Sequence, residues 1–167
     1  MEVRQPTNDE LPALRDIERR AGRVFADVGL AVVADDEPPP VEVLRGHLGA
    51  GTIWVAVVDG HPVAYATASE VDGEGHLDQV SVDPDYSRRG IGRGLIEHVC
   101  GWAAAQGFPA VTLTTYRDVP WNGPLYLRYG FEPLSHEELS PELRGIRTAE
   151  RVRGLDVRPR VAMRRRL

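Results

Sequence analysis

One stretch constrains the chain more than any other. From His76 to Gly107 it reads HLDQVSVDPDYSRRGIGRGLIEHVCGWAAAQG. The order is a buried strand, a short turn, a glycine-rich loop and a long helix that Gly107 closes. A strand feeding a glycine-rich helix start is a phosphate-binding device, because loop N–H groups and the helix dipole put partial positive charge where an anion sits. Three readings of the loop compete. A Walker A loop needs Gly-Lys-Ser/Thr, and the chain contains no Lys. A dinucleotide fingerprint needs Gly-x-Gly-x-x-Gly after the first strand of a parallel unit, whereas Gly90-Ile91-Gly92-Arg93-Gly94 alternates its glycines. A glycine-rich turn without a ligand is the third reading.

Periodicity supplies the surroundings. Glu2 to Pro6 reads as a short strand, and Leu11, Leu14, Ile17, Ala21 and Val24 recur at helical spacing, predicting a helix over 9–27. Val41, Leu44 and Leu48 predict a second helix ending at Gly49. Thr52 to Val58, His61 to Val71 and His76 to Val82 read as strands, joined by turns at Asp59-Gly60 and at Asp72-Gly73-Glu74-Gly75. This is an antiparallel meander. After the long helix, 91–106, come a β-rich run at 109–115, a short helix at 121–129, a strand start at 131–134, a helix at 141–154 and a final strand at 158–164. The predicted fold is α+β, an α/β/α sandwich around a mostly antiparallel sheet, in a single domain over residues 1–167.

Composition narrows the function classes. No apolar run is long enough to span a membrane, and the first residues, MEVRQPTNDELPAL, lack the pattern of a secretory signal. Cys100 is the single cysteine, which excludes an intrachain disulfide and a multi-cysteine zinc site. A cytoplasmic location and no metal are the expectations. Charge is uneven: residues 142–167 carry 9 Arg against 3 acids, while the rest of the chain is acidic. The acidic body disfavours nucleic acid and suits a cationic partner. The alternating pattern of 158–164 reads as a folded strand with its arginines on one solvated face, rather than as a basic arm.

Motifs beyond the loop point to a family. Val82-Asp83-Pro84 precedes Arg89-Gly90-Ile91-Gly92-Arg93-Gly94, and Tyr126-Leu127-Arg128-Tyr129-Gly130-Phe131 follows. Together these resemble the GNAT superfamily of N-acetyltransferases, whose signatures are Gln/Arg-x-x-Gly-x-Gly/Ala after a Val-x-Pro-like turn and a downstream Tyr-x-x-x-Gly-Phe. In the commoner register Ser87 falls where the family has Gln or Arg, a departure. The resemblance implies the family's splayed sheet and acetyl-CoA as cosubstrate. It implies a pyrophosphate on the backbone of Arg88, Arg89, Gly90, Ile91, Gly92, Arg93 and Gly94, with Val80, Ser81 and Val82 beside the pantetheine arm. The acceptor is then a small-molecule or peptide amine, and a homodimer is compatible.

The same resemblance implies direct transfer in a ternary complex. A primary alkylamine with a pKa of about 10 is mostly protonated at neutral pH, and each unit costs about 1.4 kcal/mol to overcome. Tyr126 matches the family's general acid, set against a reading as a packed aromatic. The backbone N–H of Val80 or a neighbour is the implied oxyanion donor. For the base, His76 opens the third strand where several family members carry Glu, and Asp78 shares its parity. Glu18, on the first helix, is the other candidate, set against a solvated helix face. Asn122 either caps the short helix or binds the cofactor arm. Cys100 reads as core rather than nucleophile. A noncatalytic acyl-CoA-binding module is the alternative function.

Overall fold

A computed structural model describes residues 1–167. The chain forms β1 (Glu2–Arg4), α1 (Leu11–Gly22), α2 (Ala31–Ala34), α3 (Val41–Ala50), β2 (Ile53–Val58), β3 (His61–Val71) and β4 (Glu74–Val82). Then follow α4 (Ile91–Ala105), β5 (Ala110–Tyr116), α5 (Gly123–Arg128), β6 (Glu132–Pro133), α6 (Pro141–Val152) and β7 (Arg160–Arg166). It packs as two compact units, Met1–Ser69 with Leu77–Val99, and Glu70–His76 with Cys100–Leu167. No helix is long and apolar enough to cross a membrane.

In the first unit β1 pairs antiparallel with β2, and β2 with β3. The β2–β3 turn is tight because Asp59 and Gly60 both take positive φ, 51° and 79°, as a type I′ turn requires. Leu11, Leu14 and Ile17 of α1 and Leu44 of α3 are buried against Ile53, Val55, Val57 and Tyr65. In the second unit β5 runs parallel to the start of β4, with Gly75 opposite Val111 and His76 opposite Thr112. β7 pairs antiparallel with both β5 and β6. Leu143 of α6 packs with Val71 and Ala162. The α+β fold with a mostly antiparallel sheet read from the sequence is the one observed, and the structure adds the parallel β4–β5 pair.

Four local expectations change. The helix over 9–27 is shorter: α1 ends at Gly22 and tightens into 3-10 turns over Arg23–Val28. Its buried stripe stops at Ile17, and Val24 is 37% exposed, so packing no longer holds an α-helix there. The second helix runs through Gly49 to Ala50, because the left-handed residue that ends it is Gly51, φ 72°. β4 begins at Glu74, since the preceding turn needs only Asp72 and Gly73. Finally, the arginines of the last strand are not one solvated face. Arg160 Nη2 lies 2.8 Å from Glu150, and Arg164 Nε 3.0 Å from Glu74.

Glu150 is the centre of a buried charge cluster. It is bound by Arg160, by Arg147 at 2.8 Å and by the Thr114 hydroxyl at 2.6 Å. Burial works against its ionisation, but Arg160, Thr114 and Arg147 together hold its carboxyl below the usual range. Glu150→Gln would leave the Arg160 guanidinium without a counter-charge, while Arg147 keeps Asp156, and should cost about 3 kcal/mol in urea unfolding at neutral pH. A carboxyl depressed in the folded state stabilises above its unfolded pKa of about 4.3 and loses that contribution as pH falls through the lower folded value. The gap between wild type and variant should therefore close in acid.

Candidate active site

The residues expected beside the pyrophosphate and the pantetheine arm, Val80–Val82 and Arg88–Gly94, lie in the first unit. At the end of β4, Val80 and Val82 are half-buried and Ser81 is buried, with its Oγ accepting from Gln79 Nε2 at 2.8 Å. Asp83 follows, also buried, and its N–H donates to Val63 O at 2.8 Å. Its carboxylate accepts the N–H of Asp85 at 3.0 Å, which caps a 3-10 turn over Pro84–Tyr86. Arg88 and Gly90 then take left-handed φ of 61° and 77°, and α4 starts at Ile91. This double step frees the helix start from the strand. The first-turn amides of α4 have no carbonyl of their own helix to bind. The earliest helical bond is Gly94 N–H to Gly90 O, 2.9 Å.

The glycines differ in what they permit. A Cβ at Gly90 would point into open space, so that position needs glycine for its φ rather than for room. A Cβ at Gly92 would meet Val82 Cγ2 at 3.4 Å, an ordinary contact, and one at Gly94 would meet the flexible end of Met1 at 2.8 Å. Arg88 and Arg93 are exposed at this helix start. Arg89 instead folds back: its guanidinium lies 5.1 Å from the Tyr86 ring centroid and donates to Asp85 O at 3.2 Å.

Two base candidates also lie in this unit. Glu18 does not sit on a solvated face. Its carboxylate accepts a hydrogen bond from the hydroxyl of Tyr65, which is fully buried in the core under α1. Burial pushes the Glu18 carboxyl up; the Tyr65 hydrogen bond opposes this, Asp36 adds to it and Arg15 reduces it. Asp78 is exposed and accepts from Ser69 Oγ at 2.9 Å.

His76, Asn122 and Tyr126 belong to the second unit. His76 is buried in the parallel ladder, with Nδ1 2.8 Å from Thr112 Oγ1. The Thr112 hydroxyl is also placed to donate to Gly75 O at 3.4 Å, which favours Nδ1–H as the donor to it. Asn122 does not cap α5 with its side chain. Its Nδ2 donates to the Trp121 carbonyl at 3.0 Å, while its own carbonyl accepts Tyr126 N–H at 3.0 Å. The next residue must be glycine, since a Cβ on Gly123 would lie 2.4 Å from Arg117 O. Tyr126 is buried edge-on against Phe131, ring centroids 5.8 Å apart. Burial, with Tyr129 adding to it, raises its phenol well above the ordinary range, so it stays protonated at neutral pH.

Sequence reading missed Arg20 and Tyr65. Nothing local marks Arg20; its partners Asp83 and Asp85 are marked, as a capping pair around Pro84. Tyr65 carried a signal, a lone phenol in the apolar run Val63-Ala64-Tyr65-Ala66, which when buried needs an acceptor.

Left-handed residues open the start of α4 at the end of a strand, on a mostly antiparallel α+β sheet, a layout whose backbone donors suit an anion. The chain belongs to the acetyltransferase (GNAT) family, whose model matches residues 11–131. It is 37% identical over 93 residues to a probable N-acetyltransferase camello of Xenopus tropicalis, covering 54% of this chain and 42% of that protein. It is 30% identical over 74 residues to the ribosomal protein bS18-alanine N-acetyltransferase of Escherichia coli, covering 38% of this chain and 50% of that one. The chain thus spans about half the length of the curated relatives it matches. Its fold matches that of PaiA N-acetyltransferase from Thermoplasma acidophilum in complex with coenzyme A, TM-score 0.74 at 13% identity, over 99% of this chain and 98% of that one.

The Glu18 environment makes a stability prediction. A carboxyl raised in the folded state costs stability as pH rises through its folded pKa, and costs nothing below the unfolded value of about 4.3. Glu18→Gln keeps an acceptor for Tyr65 and removes the charge. Thermal unfolding should show the variant more stable than wild type above neutral pH, with the difference gone in acid.

Proposed function

We propose that this chain is an acetyl-CoA-dependent N-acetyltransferase that moves the acetyl group directly to a primary amine. The observation that carries the reading is the start of α4, where left-handed Arg88 and Gly90 lead from the strand into a helix whose first-turn amides have no carbonyl of their own helix to bind. The residues there suit an anion: backbone donors, a helix dipole, and exposed Arg88 and Arg93. Arg88–Gly94 would hold the pyrophosphate and the end of β4 the pantetheine arm, as family membership suggests. A structural relative carries bound coenzyme A, which supports the same donor.

The thioester supplies an activated acyl carbon and a thiolate leaving group. In the transfer a C–N bond forms, a C–S bond breaks, the amine loses one proton and the sulfur gains one. Tyr126 is the residue we assign to the sulfur. Its buried, protonated phenol is a hydrogen-bond donor throughout the neutral range. Among the base candidates the reading favours Glu18, because burial raises its basicity toward neutrality. Asp78 is exposed, and His76 spends Nδ1 on Thr112. The acceptor we infer is a cationic amine, on a small molecule or a peptide, in keeping with the acidic body of the chain.

A thiol-release assay with acetyl-CoA against a broad amine panel tests this. Release should require an amine, and Tyr126→Phe should lower kcat about 100-fold. Gly92→Glu, placing a carboxylate at the phosphate loop, should abolish coenzyme A binding in calorimetry while the protein stays folded. Tight acetyl-CoA binding with no amine-dependent release across the panel would instead favour a noncatalytic acyl-CoA-binding module.

A further inference from the structure

The loop that would receive the phosphates contains a backbone cost. Arg88 is not glycine, yet it holds φ 61°, a region L-residues enter at a cost of about 1 kcal/mol. Such a conformation persists only where the surroundings over-determine it. The chain before Arg88 shows what does so. Arg20, on α1, reaches across with both arms of its guanidinium: Nη1 donates to Asp83 Oδ2 at 2.9 Å and Nη2 to Asp85 Oδ2 at 2.9 Å. The other oxygen of Asp83 accepts the Asp85 N–H. Asp83 is itself tied to β3 through its N–H and Val63 O. Asp85 O then receives Arg89, whose guanidinium stacks on Tyr86. One side chain from a distant helix thus braces both ends of the turn that launches the glycine loop.

We propose that Arg20 is a positioning residue for the phosphate-binding loop, setting the turn that aims the start of α4 at the acyl carrier. The inference rests on the functional reading above. Arg20 touches no reacting atom. Its contribution is to hold the Pro84–Tyr86 turn so that the left-handed step at Arg88 is already made before the cosubstrate arrives. It also separates the three loop arginines: Arg88 and Arg93 are presented at the helix start, while Arg89 belongs to the brace.

Calorimetric titration with coenzyme A, alongside steady-state kinetics and thermal unfolding, tests the proposal on wild type, Arg20→Ala, Arg20→Lys and Asp85→Asn. Arg20→Ala should weaken coenzyme A binding about 10-fold and raise the KM for acetyl-CoA to match, with kcat at saturation and the KM for the amine little changed. Arg20→Lys should recover only part of the loss, because an ammonium cannot span two carboxylates as the planar fork does. Asp85 is 75% exposed, so Asp85→Asn removes the charge from one arm of the brace without threatening the fold and should show a smaller loss of the same kind. A lower melting temperature with unchanged coenzyme A affinity would assign Arg20 a purely structural role and overturn the proposal. If Arg20→Ala does not fold, wild-type affinity in Asp85→Asn overturns it. Wild type that binds no coenzyme A would remove the functional reading itself, whereas wild type that binds while every variant binds equally well would remove only this inference.

Discussion

The turn that launches α4 is built on one buried carboxylate. Asp83 sits where the chain leaves β4, with little access to water. A carboxylate there must be satisfied by donors that the fold supplies. The N–H of Asp85 and the guanidinium of Arg20 supply them, and in doing so they choose the direction of the Pro84–Tyr86 turn. The left-handed steps at Arg88 and Gly90 follow that turn, and α4 starts at Ile91. The proposed anion site would therefore rest on an ion pair that itself holds no ligand.

Buried charge serves a second purpose in the other unit. Glu150 draws Arg147, Arg160 and Thr114 together and fastens α6 to the strands β5 and β7. The Arg160 guanidinium also lies 4.5 Å from the Tyr116 ring centroid, and Tyr116 in turn donates to Leu155 O. The basic C-terminal segment is thus spent partly on internal contacts, which explains why its charge need not mean a nucleic-acid arm.

Glu18 shows the opposite use of burial. Its carboxyl is raised because α1 lays it against the core, where Tyr65 waits with a hydroxyl. Such a group destabilises the fold when ionised and is correspondingly a better proton acceptor. Tyr126 is tuned in the same direction by dryness, as a phenol that keeps its proton. The buried Glu18 carboxyl is a setting that stability alone would not select.

The sequence by itself determined whatever is decided within a few residues. Asp59-Gly60 and Asp72-Gly73 dictate tight turns because both positions need positive φ, and the glycine loop after a strand dictates an open helix start. The continuous apolar runs of β2 and β3 mark strands buried on both faces, and the apolar stripe of α1 fixes its buried side. Tertiary structure alone decided the pairings that charge and burial impose at long range. Arg20 and Asp83 are 63 residues apart, and Tyr65 and Glu18 are 47 apart. Tyr126 was legible from its Gly-Phe neighbours, but its dryness was not; nor was the displacement of Asn122 from capping to the Trp121 carbonyl. A side chain's proton affinity and hydrogen-bond partner depend on how much water the closed fold removes and which distant groups replace it, and neither is written in the neighbouring residues.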